Sequence, residues 1–376
     1  RISQDGDKIK KPLICDSCES KGPFNLLIDE SVFKNVQKME VMEKYEDTKG
    51  TQPRDVLVIL EDDLVTEAVL GIKVKVTGVV MLKTNKKREV DHYILANYVE
   101  FEEKEETEFS PEEIQEFEKF SQDPEIYSKI VNSIAPQIRG VDKAKEGLML
   151  YLFGAPRRKL PDGTYKRGDI HVLLIGDKAT GKSQLLQYIY RNFKAVKTSG
   201  PGTTKVGLVA AAVKEKEEWT IQPGPLVLAD NWICVIEEFD KMGSEDRSSL
   251  HEPMEQQEIS ISKAGLLANF KARCGILAAA NPKYGRFDPY HDYTEQFNLP
   301  DTILSRFDLI FIFEDKPDEK KDDEIAEAIL GEVDLKPEID PAFLYRYVQY
   351  ARQNVFPVLT DEAKRIIKDY YRERRK

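Results

Sequence analysis

Cysteine is scarce in this sequence: four residues in 376, of which Cys15 and Cys18 form a single C-x-x-C pair. That count excludes a disulfide-stapled secreted scaffold, and one such pair is half of the four-ligand set of a structural zinc site. Cys234 and Cys274 fall within apolar, strand-like runs, where buried free thiols are expected. Long apolar stretches are missing as well. None approaches the ~20 residues that cross a bilayer, and residues 1–14 lack the apolar core of a signal peptide. No membrane partner and an intracellular location are expected. Positive charge is not in excess either: 56 Lys and Arg face 67 Asp and Glu, a net charge of −11. A surface that coats nucleic acid as a whole is therefore excluded, and any phosphate contact must be local.

Three apolar segments with strand composition lie in the first hundred residues: 56–60 (VLVIL), 72–82 (IKVKVTGVVML) and 92–101 (HYILANYVEF). They predict a β-rich domain, and a small barrel fits their spacing. An acidic connection follows at 102–109. Helices begin where Ser110, Pro111 and Glu113 combine a side-chain N-cap, a first-turn proline and a capping-box acid. Asp123-Pro124 repeats that device, and Ile126, Ile130 and Ile134 predict an apolar stripe laid against a neighbouring domain. From 170 onward short apolar strands (171–176, 234–238, 274–280, 309–313) alternate with helical stretches, which implies a parallel sheet covered on both faces. The tail from 318 reads as helical in three pieces. The expected domains are 1–103, a 104–124 linker, an α/β core at 125–316 and a helical segment at 317–376.

Gly176-Asp177-Lys178-Ala179-Thr180-Gly181-Lys182-Ser183 fits G-x-x-x-x-G-K-[ST], after an apolar strand and before a helical run. In that context glycines allow a tight anion-binding loop, backbone N–H groups face phosphates, Lys182 adds a point charge, and Ser183 would ligate magnesium. A second strand ends in Glu237-Glu238, where one acid suits a metal's water and the next the orientation of an attacking water. The plainer reading is a solvated strand end. Asn281, at the tip of a third strand, could position that water or simply make an Asn-Pro turn. Arg306 precedes the last strand, where it could reach a neighbouring subunit's nucleotide or pair with Asp301 or Asp308.

These motifs, with the strings RGDIHVLLIGD (167–177), EEFDKM (237–242), DRSSLHEPMEQQEISISKAG (246–265), LAAANPKYGRFDPY (277–290) and LPDTILSRFDLIF (299–311), resemble archaeal and eukaryotic minichromosome maintenance (MCM) proteins; QPRDVLVILEDDLV (52–65) carries the likeness into the first half. The resemblance implies an OB-fold with a partial zinc ribbon at about 10–25, then an AAA+ P-loop ATPase, then a helical lid. It makes 176–183 the Walker A loop, Glu237 and Glu238 Walker B, Asn281 sensor 1 and Arg306 an arginine finger. It further implies ATP and magnesium, zinc through the cysteine pair, and a homo-hexamer or mixed ring around single- or double-stranded DNA. Replication loading and fork factors would be its partners, in a cytoplasmic, nucleoid-associated, archaeal-type setting. Residues 259–272 resemble the pre-sensor hairpin, with Lys263 at its tip, and Lys83, Lys86, Lys87 and Arg88 an amino-terminal hairpin; both would meet DNA. A basic turn on its own is as often merely solvated. Residues 206–223 resemble the helix-2 insert.

Some positions depart from the family pattern. Glu237 stands where the family has Asp, an arm longer by about one C–C bond. Lys178 and Ala179 replace the loop's usual Pro and small residue, and Pro253 interrupts a helix-like run at 245–257, where an interior proline costs about 3 kcal/mol or kinks the helix. The family's first cysteine pair and amino-terminal helical domain would precede Arg1, and its sensor 2 and winged helix would follow Lys376. A helicase subunit is the leading expectation; a catalytically weak homologue serving as a DNA-binding ring subunit is the alternative.

Overall fold

The computed structural model describes residues 12–15, 18–25, 27–43, 55–65, 73–84, 90–102, 107–200, 207–215, 218–263, 266–316 and 336–375. The chain divides into two units, 1–68 with 73–102, and 69–72 with 103–376.

The first unit is built on strands β1 (Val36–Met42), β2 (Asp55–Glu61), β3 (Lys73–Thr84) and β4 (Val90–Glu102), in the order β1-β2-β4-β3. β1 is an element that sequence patterning does not single out, because its half-buried residues alternate with exposed ones. Val58, Leu60 and Ala96 form the buried centre, flanked by partly buried Met39, Ile94 and Val99. The β3–β4 register shifts between Thr77 and Gly78, and a Cβ at Gly78 would sit 2.3 Å from the Leu95 carbonyl oxygen. Glycine is what lets the two long strands approach there.

In the second unit, α1 (Pro111–Ser121) opens with the expected reciprocal cap: Glu113 N–H donates to Ser110 Oγ and Ser110 N–H to Glu113 Oε2. Phe117 on α1 packs against Phe343, Tyr347 and Tyr350 of the later helix α10 (Pro341–Asn354), and Arg346 pairs with Glu113. The Asp123-Pro124 device takes another form. Asp123 accepts the Glu125 N–H and pairs with Lys129, while α2 (Ile126–Ser133) has no side-chain cap. The isoleucine stripe also differs from expectation: Ile130 and Ile134 are buried in the core of their own unit, beside Leu148 of α3 (Asp142–Phe153), rather than against another domain.

After the small hairpin β5 (Arg158–Lys159) and β6 (Tyr165–Lys166), the chain builds β7 (Val172–Gly176), α4 (Lys182–Asn192) and β8 (Ala195–Ser199). A hairpin β9 (Ala210–Glu215) and β10 (Glu218–Pro223) and the short α5 (Pro225–Leu228) lead to β11 (Ile233–Glu237). Then come α6 (Ser244–Ser249), α7 (His251–Gln256), the hairpin β12 (Glu258–Lys263) and β13 (Leu266–Lys271), and β14 (Gly275–Ala280). α8 (Tyr293–Gln296), α9 (Asp301–Leu304), β15 (Leu309–Phe313), α10 and α11 (Asp361–Arg374) complete it. Five strands form one all-parallel sheet, order β15-β7-β14-β11-β8.

Both faces of this sheet are covered. Leu174, Val235 and Leu277 meet Leu148, Leu185 and Ile189 on one side; Leu173, Cys234 and Ile276 meet Phe239, Met254 and Phe270 on the other. Two-sided burial is why the inner strands β7, β11 and β14 read as unbroken apolar runs, whereas Ile310 and Ile312 of the edge strand β15 are exposed; each buried Leu or Ile contributes about 1.5–3 kcal/mol. Cys234 and Cys274 are buried free thiols, as expected, and burial pushes both thiols up, Cys234 to about 12.

Pro253 does not kink a long helix. The 245–257 run is two helices meeting at Leu250, so Pro253 occupies the first turn of α7, where its missing N–H leaves no bond unmade. Within the helical tail, α10 and α11 are capped by Asp340 and Thr360, and the piece expected at 318–331 lies outside the described residues. Among those residues no helix is long and apolar enough to cross a membrane.

Candidate active site

A parallel sheet delivers the carboxyl ends of its strands to one edge, and three of those ends converge here. β7 runs into the loop 177–181, and α4 begins at Lys182. Ala179 (φ 65°) and Gly181 (φ 83°) take left-handed conformations that fold the loop back on itself. Gly176 serves a different end: a Cβ there would lie 2.3 Å from the Phe313 carbonyl oxygen, so it admits β15. Asp177 is buried, and its carboxylate accepts backbone N–H groups from Phe287 and Asp315 at 2.7 and 2.9 Å, bracing the loop against two others. Lys178 is exposed; its Nζ would stand 3.9 Å from a Cβ at Gly285.

Lys182 is buried, and its ammonium donates to the Gly176 carbonyl at 2.8 Å, to the Asp177 carbonyl and to Thr180 Oγ1 at 3.2 Å. Desolvation holds its pKa down to about 8, with Asp177 and Asp240 partly opposing. A cation among neutral acceptors is undercompensated, and anionic oxygens would restore what burial removes.

β11 ends at Glu237, and Glu238 follows in a left-handed conformation (φ 52°). This backbone is uncommon for a residue with a Cβ and turns the two acids apart. Glu237 Oε2 lies 3.1 Å from Lys197 Nζ, while Glu238 pairs with Lys241 one turn on. Gly200 allows the tight approach, since a Cβ there would fall 2.3 Å from the Glu238 carbonyl oxygen. Asn281 follows β14, its N–H donating to Asp240 Oδ1 at 2.9 Å.

Lys182, Ser183, Glu237, Glu238 and Asn281, residues far apart in sequence, line one cleft of about 280 Å³ together with Ser199, Ala279 and Ala280. The sequence motifs do not single out Ser199, Lys197 and Asp240. β8 is half-buried along its length and carries a lysine, so it lacks an apolar signature, whereas Asp240 was visible in the acidic string that contains Glu237. Ser183 and Glu237 are hard oxygen donors of the kind magnesium takes. Among the described residues no three His, Cys, Asp or Glu gather as a metal cage.

Arg306 is not among the residues lining that cleft. It pairs with Glu255 of α7, rather than with Asp301 or Asp308, and its Nε is buried without a partner. Asp308 is taken by Arg167, through bonds of 2.7 and 3.0 Å. Lys263 ends β12, opposite Leu266 across the hairpin, and Lys83 lies on β3 opposite Asp91. Lys86, Lys87 and Arg88 lie outside the described residues. Cys15 and Cys18 sit in a turn closed by the Ile14–Lys21 bridge, where the Cys18 thiol donates to Ser20 Oγ at 3.2 Å. No third metal ligand joins them among the described residues, so the pair alone does not complete a tetrahedral zinc site.

Known families match this arrangement in chain order. The MCM OB domain matches residues 2–84, the MCM P-loop domain residues 113–333, and the MCM AAA-lid domain residues 342–376. The minichromosome maintenance protein MCM of Saccharolobus solfataricus is 43% identical over 98% of this chain and 56% of its own length. The DNA replication licensing factor MCM4 of Arabidopsis thaliana is 37% identical over 100% of this chain and 49% of its own, and Mcm2 of Drosophila melanogaster 37% over 93% and 43%. The chain thus spans about half the length of the curated relatives it matches. With an OB domain, a P-loop domain whose parallel sheet gathers Lys182, Glu237, Glu238 and Asn281 at one edge, and a helical lid, the chain belongs to the MCM family.

Proposed function

We propose that this chain is the motor-bearing part of an ATP-dependent DNA helicase subunit that works in a hexameric ring on DNA inside the cell. The observation that carries the reading is the convergence of a loop lysine, two strand-end carboxylates and a strand-tip asparagine on one cleft. In this reading Lys182 and the backbone N–H groups at the start of α4 bind the β- and γ-phosphates of ATP. Ser183 and Glu237 hold magnesium, which when bound neutralises phosphate charge. Glu238 orients and deprotonates the attacking water, and Asn281 fixes its angle on the γ-phosphoryl group. Glu238 must leave Lys241 to act, which suits a base that is engaged only when the ring assembles.

Arg306 is then a finger for the neighbouring subunit's nucleotide. Its location outside its own cleft and its bond to an exposed Glu255 favour a guanidinium that changes partner on assembly. Lys263, with Lys83, Lys86, Lys87 and Arg88, supplies modest positive charge that becomes rings of charge once repeated around one strand or duplex.

Mixing single variants tests the shared site. Lys182→Ala and Arg306→Ala rings should each hydrolyse ATP at background level with DNA present. Mixed rings should regain part of the DNA-stimulated rate, because an Arg306→Ala loop beside a Lys182→Ala arginine makes a complete site. Full activity of either variant alone would remove the assignment.

A further inference from the structure

Strand β8 carries a lysine with no place in the reading above. The β11–β8 register pairs Lys197 with Val235 and Ser199 with Glu237, so Lys197 stands one same-face step from Glu237, within reach of a long side chain. Its Nζ lies 3.1 Å from Glu237 Oε2, with the two side chains 27% and 26% exposed. The same ammonium donates to Gln187 Oε1 at 3.2 Å and stands 5.8 Å from the Tyr190 ring, both on α4, the helix that begins at Lys182. Lys197 thus links the phosphate-loop helix to the metal-side carboxylate.

Two consequences of this link oppose each other. A positive charge beside a magnesium position repels the cation, whereas a tether removes the rotamer freedom that a glutamate has over a shorter carboxylate. The geometry favours the tether. In its paired state Glu237 still lines the cleft beside Ser183 and Asn281, while Lys197 is not among the lining residues, so the ion pair holds the carboxylate without withdrawing it from the cleft.

We propose that Lys197 is a positioning residue that takes up the extra methylene of Glu237 and holds its carboxylate where magnesium-nucleotide needs it. This rests on the nucleotide-hydrolysis reading above. The test is equilibrium binding of a fluorescent, non-hydrolysable ATP analogue to the full chain, with and without Mg2+. Lys197→Met should lose about tenfold of the Mg2+-dependent tightening, the worth of a charge-assisted hydrogen bond, with its Mg2+-free affinity unchanged. Lys197→Arg should keep most of the tightening, and Gln187→Leu, which leaves the ion pair intact, should lose less. In a Glu237→Asp background, Lys197→Met should matter by less than about twofold, since the shorter acid needs no tether. Unchanged or stronger Mg2+ tightening in Lys197→Met, or an equal loss in the Asp background, overturns the proposal while leaving the nucleotide site standing. A wild-type chain that binds the analogue without regard to Mg2+ overturns both.

Discussion

The two units solve the problem of placing functional side chains differently. The parallel sheet of the second unit is buried on both faces at its centre, with β7 and β14 buried at every position, so the residues that leave these strand ends are aimed by a packed core. The first unit's four-stranded sheet has three buried side chains among its described residues, and Val79, Val80, Met81 and Leu82 on the outer half of β3 are exposed. Catalysis needs placement to fractions of an ångström, while backbone-phosphate contact tolerates more latitude. Under the proposed function, the denser core stands behind the unit that would hydrolyse ATP and the thinner one behind the unit that would meet DNA.

Truncating one core leucine in each unit gives the largest effect. Leu174→Ala should destabilise the P-loop unit by about 4 kcal/mol, and Leu60→Ala the OB unit by about 2, because a small cluster relaxes around the lost volume more readily. Calorimetry on the full chain would read both, and equal losses would contradict the difference in packing between the two units.

Acid should act next, on the second unit. His171 is buried, its Nδ1 accepting the Ile276 N–H at 3.1 Å and its Nε2 donating to the Met254 carbonyl at 3.0 Å, an arrangement that requires the neutral ring. Desolvation, helped by Arg167, lowers its pKa to about 4. The unfolded chain then takes up the proton first, so the stabilisation is complete above about 6.5 and is lost as pH falls towards 4, about 3 kcal/mol in all. Denaturant melts across that range should slope for the wild type and flatten in His171→Gln. A wild-type curve flat from 6.5 to 4 would contradict the buried neutral ring.

The smallest effect sharpens the reading of the cleft itself. With Lys182 desolvated to about 8, ATP affinity should fall as pH rises through that value, by at most about tenfold per unit, since one proton is involved. Titration between pH 7 and 9.5 should show this slope and Lys182→Arg should lack it.

What the sequence makes legible follows from the same contrast. Glycine spacing, strand ends and acid pairs announce Gly176 to Ser183, Glu237, Glu238 and Asn281, because each is tied to a regular element with a strong apolar pattern. β1 and β8 were silent, since half-burial leaves polar and charged residues along them. Lys197 is silent for the same reason: the role proposed for it depends on a strand register that no local pattern encodes. Pro253 shows the converse error, a local rule applied to a helix that had already ended at Leu250. The split use of the loop, with Gly176 admitting β15 and Asp177 bracing neighbouring loops, likewise comes from tertiary contacts that a motif does not contain.

Glu238→Gln puts the central claim at risk most directly, because it keeps the side chain's size and removes its basicity. With Mg2+ and DNA present, the variant should bind ATP within about twofold of the wild type and hydrolyse it at least about a hundredfold more slowly, the usual worth of a positioned base. Turnover at the wild-type rate would show that the cleft at the ends of β7, β11 and β14 is not where ATP is split.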